Sequence, residues 1–136
     1  MAMLDTTALI DSIRRTQSPN RLRLEATTQR LLATGEALCT SRINEAEFRV
    51  GQFRAKDPVG ESVKIERLLR SLVILEFDAA AALRFARVQA HLLNIGRPAG
   101  DADVFIAAVA LANGQRLVTR NPAHFANAPG LVIEAY

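Results

Sequence analysis

Three acidic side chains from well-separated segments, Asp5, Glu47 and Asp103, are the residues whose types and placement can do chemistry in this chain. Asp5 ends the short apolar run Ala2-Met3-Leu4, so it is expected at the carboxyl end of a strand, where open parallel sheets form their sites. Glu47 falls at i+4 from Ile43 on a helix whose Ile43, Ala46, Val50 and Phe53 form one apolar stripe, a pattern that predicts an acid pointing inward. Asp103 opens a strongly apolar helix and lines up with Ile106, Ala107 and Ala110, so its carboxylate is expected close to buried structure. A buried carboxylate without a partner is costly and normally gains a cation or a proton. Three inward oxygen ligands suit a hard divalent ion such as magnesium, with water and substrate phosphate completing the coordination, and the chemistry implied is phosphoryl transfer. Each acid taken singly also has a structural explanation, as a helix cap or a surface pair.

The neighbouring polar residues divide in the same way. Glu45 faces away from Glu47, can pair with Arg49 at i+4 and shares its side with Gln52 and Lys56, which reads as a solvated surface acid. Asp101 follows the Gly100 turn, where capping alone would explain an aspartate, although a metal role is also open. Asn121 stands at another strand end. The single cysteine, Cys39, sits among apolar neighbours and reads as a small core residue; one cysteine allows neither an intrachain disulfide nor a thiolate metal cluster.

The elements that must position these side chains follow from periodicity and punctuation. Ala2 to Leu4 reads as strand and the segment after Asp5 as helix. A helical pattern runs from about Pro19 to Thr34 and closes at Gly35. Ala37 to Thr40 is the second strand, followed by helices at about Ile43 to Ala55 and Val59 to Ser71, a strand at Leu72 to Glu76 and an alanine-rich helix from Asp78 to Ile95. After the turn cluster Gly96-Arg97-Pro98-Ala99-Gly100, the helix Asp101 to Asn113 has a middle apolar on every side and belongs at the protein centre. Leu117 to Thr119 is a strand, Arg120-Asn121-Pro122 a turn, and Leu131 to Glu134 a last, edge strand. Strands separated by helices predict an α/β fold, one parallel sheet with helices on both faces.

Length and composition agree with a single domain. At 136 residues, 49% hydrophobic and 23% charged, the chain can bury one core and is far from a disordered composition. Its longest apolar stretch, Val104 to Ala112, is about half of a bilayer span, so a soluble cytoplasmic protein is expected. Seventeen basic against fourteen acidic residues give a net charge of +3, too little to establish a nucleic-acid partner. The arginines Arg14, Arg15, Arg21, Arg23 and Arg30, with only Glu25 among them, predict positive potential at one end, either as a solvated helix face or as a phosphate contact.

Four segments carry a resemblance along nearly the whole chain: MLDTTALID at Met3 to Asp11, INEAEFRVG at Ile43 to Gly51, GRPAGDADVFIAAVALANG at Gly96 to Gly114 and RLVTRNPAHFANAPGL at Arg116 to Leu131. Together they resemble the PIN-domain family, in particular the VapC-type ribonuclease toxins of type II toxin–antitoxin systems. The resemblance implies one PIN domain over residues 1–136, an acidic pocket that binds magnesium or manganese, and cleavage of RNA by a metal-activated water. It assigns the catalytic acids to Asp5, Glu47 and Asp103, makes Asp101 an additional acid, and places Asn121 where a fourth acid can stand. It further implies that Thr7 and Thr119 could hold water at the pocket, that Arg97 and Arg120 could meet RNA phosphate, and that the partners are a VapB-type antitoxin and a second copy of the chain. His91 and His124 are not expected to form an acid–base pair, and His124 reads as a loop-fixing residue. Two other classes stay open: a PIN-fold module that binds RNA or protein without cutting, and a hydrolase of small phosphate esters, although Thr7 occupies the second position of the Asp-x-Asp spacing such an enzyme needs.

Overall fold

The computed structural model describes residues 1–14 and 17–136, so Arg15 of the basic run lies outside the described residues. The chain order is β1 (Ala2–Leu4), α1 (Thr6–Ile13), α2 (Pro19–Ala33), β2 (Leu38–Ser41), α3 (Arg42–Arg54), α4 (Pro58–Arg70), β3 (Val73–Leu75), α5 (Ala79–Asn94), α6 (Asp101–Ala112), β4 (Arg116–Thr119) and β5 (Ile133–Ala135), with a short 3₁₀ turn at Pro122–His124. The strands form one sheet in the order β3-β2-β1-β4-β5, and every pairing is parallel. Met3 is in register with Cys39 on one side and Leu117 on the other. From β1 the chain steps outward through β2 to β3, then returns to the opposite side of β1 as β4. That reversal opens a crevice beyond the carboxyl ends of β1 and β4, the place where doubly wound sheets bind ligands.

Alternation along the strands sorts the core into two layers. Ala2, Leu4 and Val118 face one side and pack with Ala8, Leu9, Leu24, Leu31, Phe48, Ile65 and Leu69 from α1 to α4. Met3, Cys39 and Leu117 face the other and pack with Ala81 of α5 and with Ile106, Ala107, Val109 and Ala110 of α6. The helix expected at the centre is there: Val104 and residues 106–110 are all buried. Cys39 is a free, fully buried thiol, as its apolar surroundings predict.

Local chemistry sets the helix starts. Ser18, Ser41, Asp57 and Asp78 each accept a backbone N–H as N-cap, and Pro19 and Pro58 occupy first-turn positions where no N–H is needed. Asp101 departs from the capping expectation. The N-cap of α6 is Gly100, without a side-chain bond, and Asp101 is the exposed first helical residue, an acid at the positive helix end rather than a cap. The last strand also lies later than Leu131 to Glu134, because the Gly130 turn, at φ +78°, delivers Leu131 into the core before pairing begins at Ile133.

The largest departure concerns α3. Its buried residues are Asn44, Phe48 and Gln52, while Val50 and Phe53 of the expected inward stripe are 55% and 72% exposed, and Glu47 is exposed with them. The reason is that Asn44 is polar yet fully satisfied. Its backbone N–H bonds the Ser41 hydroxyl at 3.1 Å, its Oδ1 accepts from that hydroxyl at 2.5 Å, and its Nδ2 donates to Thr6 Oγ1 at 3.1 Å. A satisfied amide can occupy the buried face of α3, while Ile43, alone of the expected stripe's large residues, stays half-buried against the other core layer. Glu45 is correspondingly less open than expected. Its side chain is 13% exposed because Arg42 and Arg49 both cover it, the Arg49 contact at i+4 measuring 3.0 Å.

The basic run is largely neutralised where it is described. Arg14 meets Asp11, Arg21 pairs with Glu25 and donates to the Arg14 carbonyl, Arg23 donates to Asn20, and Arg30 pairs with Glu134. Among the described residues no helix is long and apolar enough to cross a membrane.

Candidate active site

Asp5 stands between the end of β1 and the start of α1, at the centre of the crevice. It caps α1 through Oδ1, which accepts the Ala8 N–H at 3.0 Å and the Thr7 hydroxyl at 2.7 Å, while Oδ2 accepts the Thr119 hydroxyl at 2.5 Å. Only 3% of Asp5 is exposed, and burial raises its carboxyl above the ordinary value even though the hydroxyl and amide donors pull the other way. A carboxylate has about four lone-pair directions, so these three donors leave room for a cation.

Thr7 and Thr119 therefore do more than line the pocket. Thr7 Oγ1 also accepts the Arg120 backbone N–H at 3.2 Å, and Thr119 Oγ1 accepts that of Asn121 at 3.0 Å, so the two hydroxyls tie Asp5 to the turn after β4. The Asn121 side chain is half-buried and makes no capping bond to the 3₁₀ turn it precedes.

Glu47 reaches the same crevice from its exposed helix face. Its Oε1 accepts the Thr6 hydroxyl at 2.6 Å, and Thr6 is in turn held by Asn44. Asp103 comes from the first turn of α6, 28% exposed, with Oδ2 3.4 Å from His124 Nδ1. The backbone N–H of His124 bonds the Asn121 carbonyl at 3.2 Å within the 3₁₀ turn, while its exposed imidazole meets Asp103. Asp101 is exposed at the start of α6, and among the described residues no hydrogen bond or ion pair joins it to the other acids.

The cluster is looser than three converging ligands. Among the described residues no group of three His, Cys, Asp or Glu side chains is gathered tightly enough to hold an ion by itself. The donors are nonetheless all of one kind, carboxylate, hydroxyl and amide oxygens, which suits a hard ion that keeps several of its waters. Asp5 with Thr7 and Thr119 is the preorganised part, Glu47 bonds the neighbouring Thr6, and Asp103 meets His124.

Residues absent from the sequence argument complete the surroundings. Asp11 is fully buried beneath the site, accepting from Tyr136 Oη at 2.8 Å and lying 3.5 Å from both Arg120 and Arg14. Burial and this carboxylate drive the Tyr136 hydroxyl well above its usual range. Arg120 is thereby oriented from below, with part of its five-donor fork still free. Arg97, by contrast, makes no ion pair among the described residues and lines a cavity with Asp103. The signal for Asp11 was the spacing Asp5-x5-Asp11 with an arginine after β4, which becomes meaningful only once the fold brings Tyr136 to it.

Known proteins are similar to this chain in sequence and fold over nearly its whole length. The PIN-domain family profile matches residues 2–131. The tRNA(fMet)-specific endonuclease VapC of Salmonella typhimurium is 30% identical over 132 residues, 97% of this chain and 95% of that protein. Ribonuclease VapC2 of Rickettsia felis is 29% identical over the same shares. Among solved structures, VapBC2 of Rickettsia felis bound to a DNA fragment from its promoter aligns with a TM-score of 0.86 at 27% identity, covering 99% of this chain and 98% of that one. DNA-bound VapBC of Salmonella typhimurium aligns with a TM-score of 0.82 at 29% identity, again over 99% and 98%.

Proposed function

We propose, since this chain belongs to the PIN-domain family and is a VapC-type member of it, that it is a metal-dependent endoribonuclease acting as the toxin of a toxin–antitoxin pair in the cytoplasm. The observation that carries this reading is the buried Asp5 carboxylate at the carboxyl end of β1, held by two threonine hydroxyls, with Glu47 bonded to the adjacent Thr6.

Asp5, Glu47 and Asp103 would hold a magnesium or manganese ion, with Asp101 and the Asn121 carbonyl oxygen at the mouth. Such an ion supplies a water nucleophilic at neutral pH and neutralises charge on the phosphate oxygens. The chain's own residues prepare that chemistry. Thr7 and Thr119 fix both Asp5 oxygens, so no reorganisation is needed when substrate arrives. Arg120, aimed by Asp11, and Arg97 supply positive charge for the RNA backbone. The crevice keeps Asp5 from bulk water, which strengthens its attraction for a cation.

The partners would be a VapB-type antitoxin, whose cation could occupy the acidic crevice, and a second copy of the chain as a homodimer. Incubation of the purified protein with structured and single-stranded RNA, with magnesium, with manganese and with chelator, tests the reading. Metal-dependent internal cleavage is expected, silenced by Asp103→Asn, and co-expression with a cognate VapB-type antitoxin should yield an inactive complex. The open spacing of the acids favours one second reading, a PIN-fold RNA- or protein-binding module. RNA bound but uncut at every metal concentration would select it.

A further inference from the structure

We propose that the cavity beside Asp103, between the end of α5, the 96–100 turn and the loop after the 3₁₀ turn, receives one unstacked base of bound RNA. The inference rests on the ribonuclease reading and names the part of the substrate that site would grip. The cavity measures about 440 Å³, with Val88, Leu92 and Pro98 as apolar walls and Arg97, Asp103 and His124 among its polar lining. That volume lies within the range of small-molecule sites and accommodates a nucleoside.

The arrangement matches the parts of a nucleotide. A base is a flat apolar body with a polar edge, attached to an anionic phosphate. The aliphatic walls suit its faces, the exposed His124 ring can stack on it, and the Asn127 amide on the same lining offers both a donor and an acceptor to its edge. Arg97, free of any ion pair among the described residues, is on the same lining and can pair with the attached phosphate. Asp103 is itself part of the cavity lining, so a base seated here lies against one of the three acids of the ribonuclease reading. Sequence-selective recognition of RNA generally uses unstacked bases in single-stranded loops. The cavity would therefore contribute to the choice of cleavage position.

The test scans a short single-stranded RNA with one abasic site at each position in turn, measuring affinity in chelator and, separately, cleavage with magnesium. Stacking is worth about 1–3 kcal/mol per base, so one position should lose about 5- to 150-fold in affinity when its base is removed. Ala123 is exposed at the cavity mouth, so Ala123→Trp can fill it without disturbing the core. That variant should bind the intact RNA as weakly as the wild type binds the critical abasic one, and should be indifferent to the abasic position. Binding with this pattern by a protein that cuts nothing would remove the nuclease reading while supporting the base subsite. A flat abasic scan, or one whose critical position persists unchanged in Ala123→Trp, overturns the proposal. So does a flat scan accompanied by loss of antitoxin binding in Ala123→Trp, which assigns the cavity to the protein partner.

Discussion

Asp5 is pulled in opposite directions, since it caps α1 as an acceptor while its burial disfavours the charge that makes it a strong one. A folded carboxyl raised above its ordinary 3.8 contributes stability at pH below that value and loses it as pH rises through the raised value, because the native state then holds the costly charge. Asp5→Asn keeps the cap, as asparagine caps about as well as aspartate. In chelator at neutral pH the variant should therefore melt higher than the parent, with the difference shrinking as pH falls toward 4, while RNA cleavage is lost by at least about 100-fold. Thermal melts across pH test the first part and cleavage rates the second; a lower melting temperature at pH 7 would show that ionised Asp5 is not a cost. Glu47→Gln and Asp103→Asn should also abolish cleavage. Glu45→Gln should keep it and lose about 0.5–1 kcal/mol through its arginine contacts. The placement of Asp5 at a strand end and of Asp103 in the first turn of a buried helix was legible from the apolar runs that precede or follow them. Glu47 was legible as a residue but not as a direction, because the buried partner of α3 is an asparagine that only tertiary hydrogen bonds make tolerable.

At the level of elements, the order of strands and helices could be read along the chain, since each strand is a short apolar run bounded by turn residues. The order of strands within the sheet could not, because nothing local says that β4 pairs with β1 rather than with β3. That pairing is what brings Thr119 to Asp5 and Tyr136 to Asp11, contacts 114 and 125 residues apart in sequence. Tyr136→Phe should leave the buried Asp11 carboxylate short of one charge-assisted bond and cost about 1.5–3 kcal/mol in urea unfolding, with no change in the slope of the transition. Cleavage should fall further than stability explains, since Asp11 then holds Arg120 less firmly, and that excess should appear in the affinity for RNA. A loss in stability alone would make the network purely structural. Cys39 lies in the opposite core layer, where burial raises its thiol to about 11, so its modification by a thiol reagent at pH 8 should proceed only through unfolding.

For the whole molecule, charge distribution matters more than the net +3. Among the described members of the basic run, three of the four arginines are paired with acids of the chain itself, and Arg23 leans on Asn20. Cations held in such pairs release few counterions when RNA arrives. Near the crevice Arg97 makes no ion pair among the described residues and Arg120 is partly free, about two phosphate contacts in all. For a single strand the logarithm of affinity falls with the logarithm of salt at about 0.7 per neutralised phosphate, so a slope of about −1.4 is expected in chelator. Arg97→Ala should flatten it to about −0.7. Magnesium should weaken this dependence further by taking over part of the neutralisation, and RNA should tighten magnesium by the same factor by which magnesium tightens RNA. Asn121→Asp adds the negative charge that the neutral amide withholds at the mouth, so metal alone should bind more tightly and that shared factor should shrink. Titration calorimetry with magnesium, with and without a non-cleavable RNA, measures both quantities in parent and variant. A slope steeper than about −3 would mean that paired arginines open to meet the backbone, and an unchanged metal affinity in Asn121→Asp would mean that residue 121 shapes the turn after β4 without facing the ion.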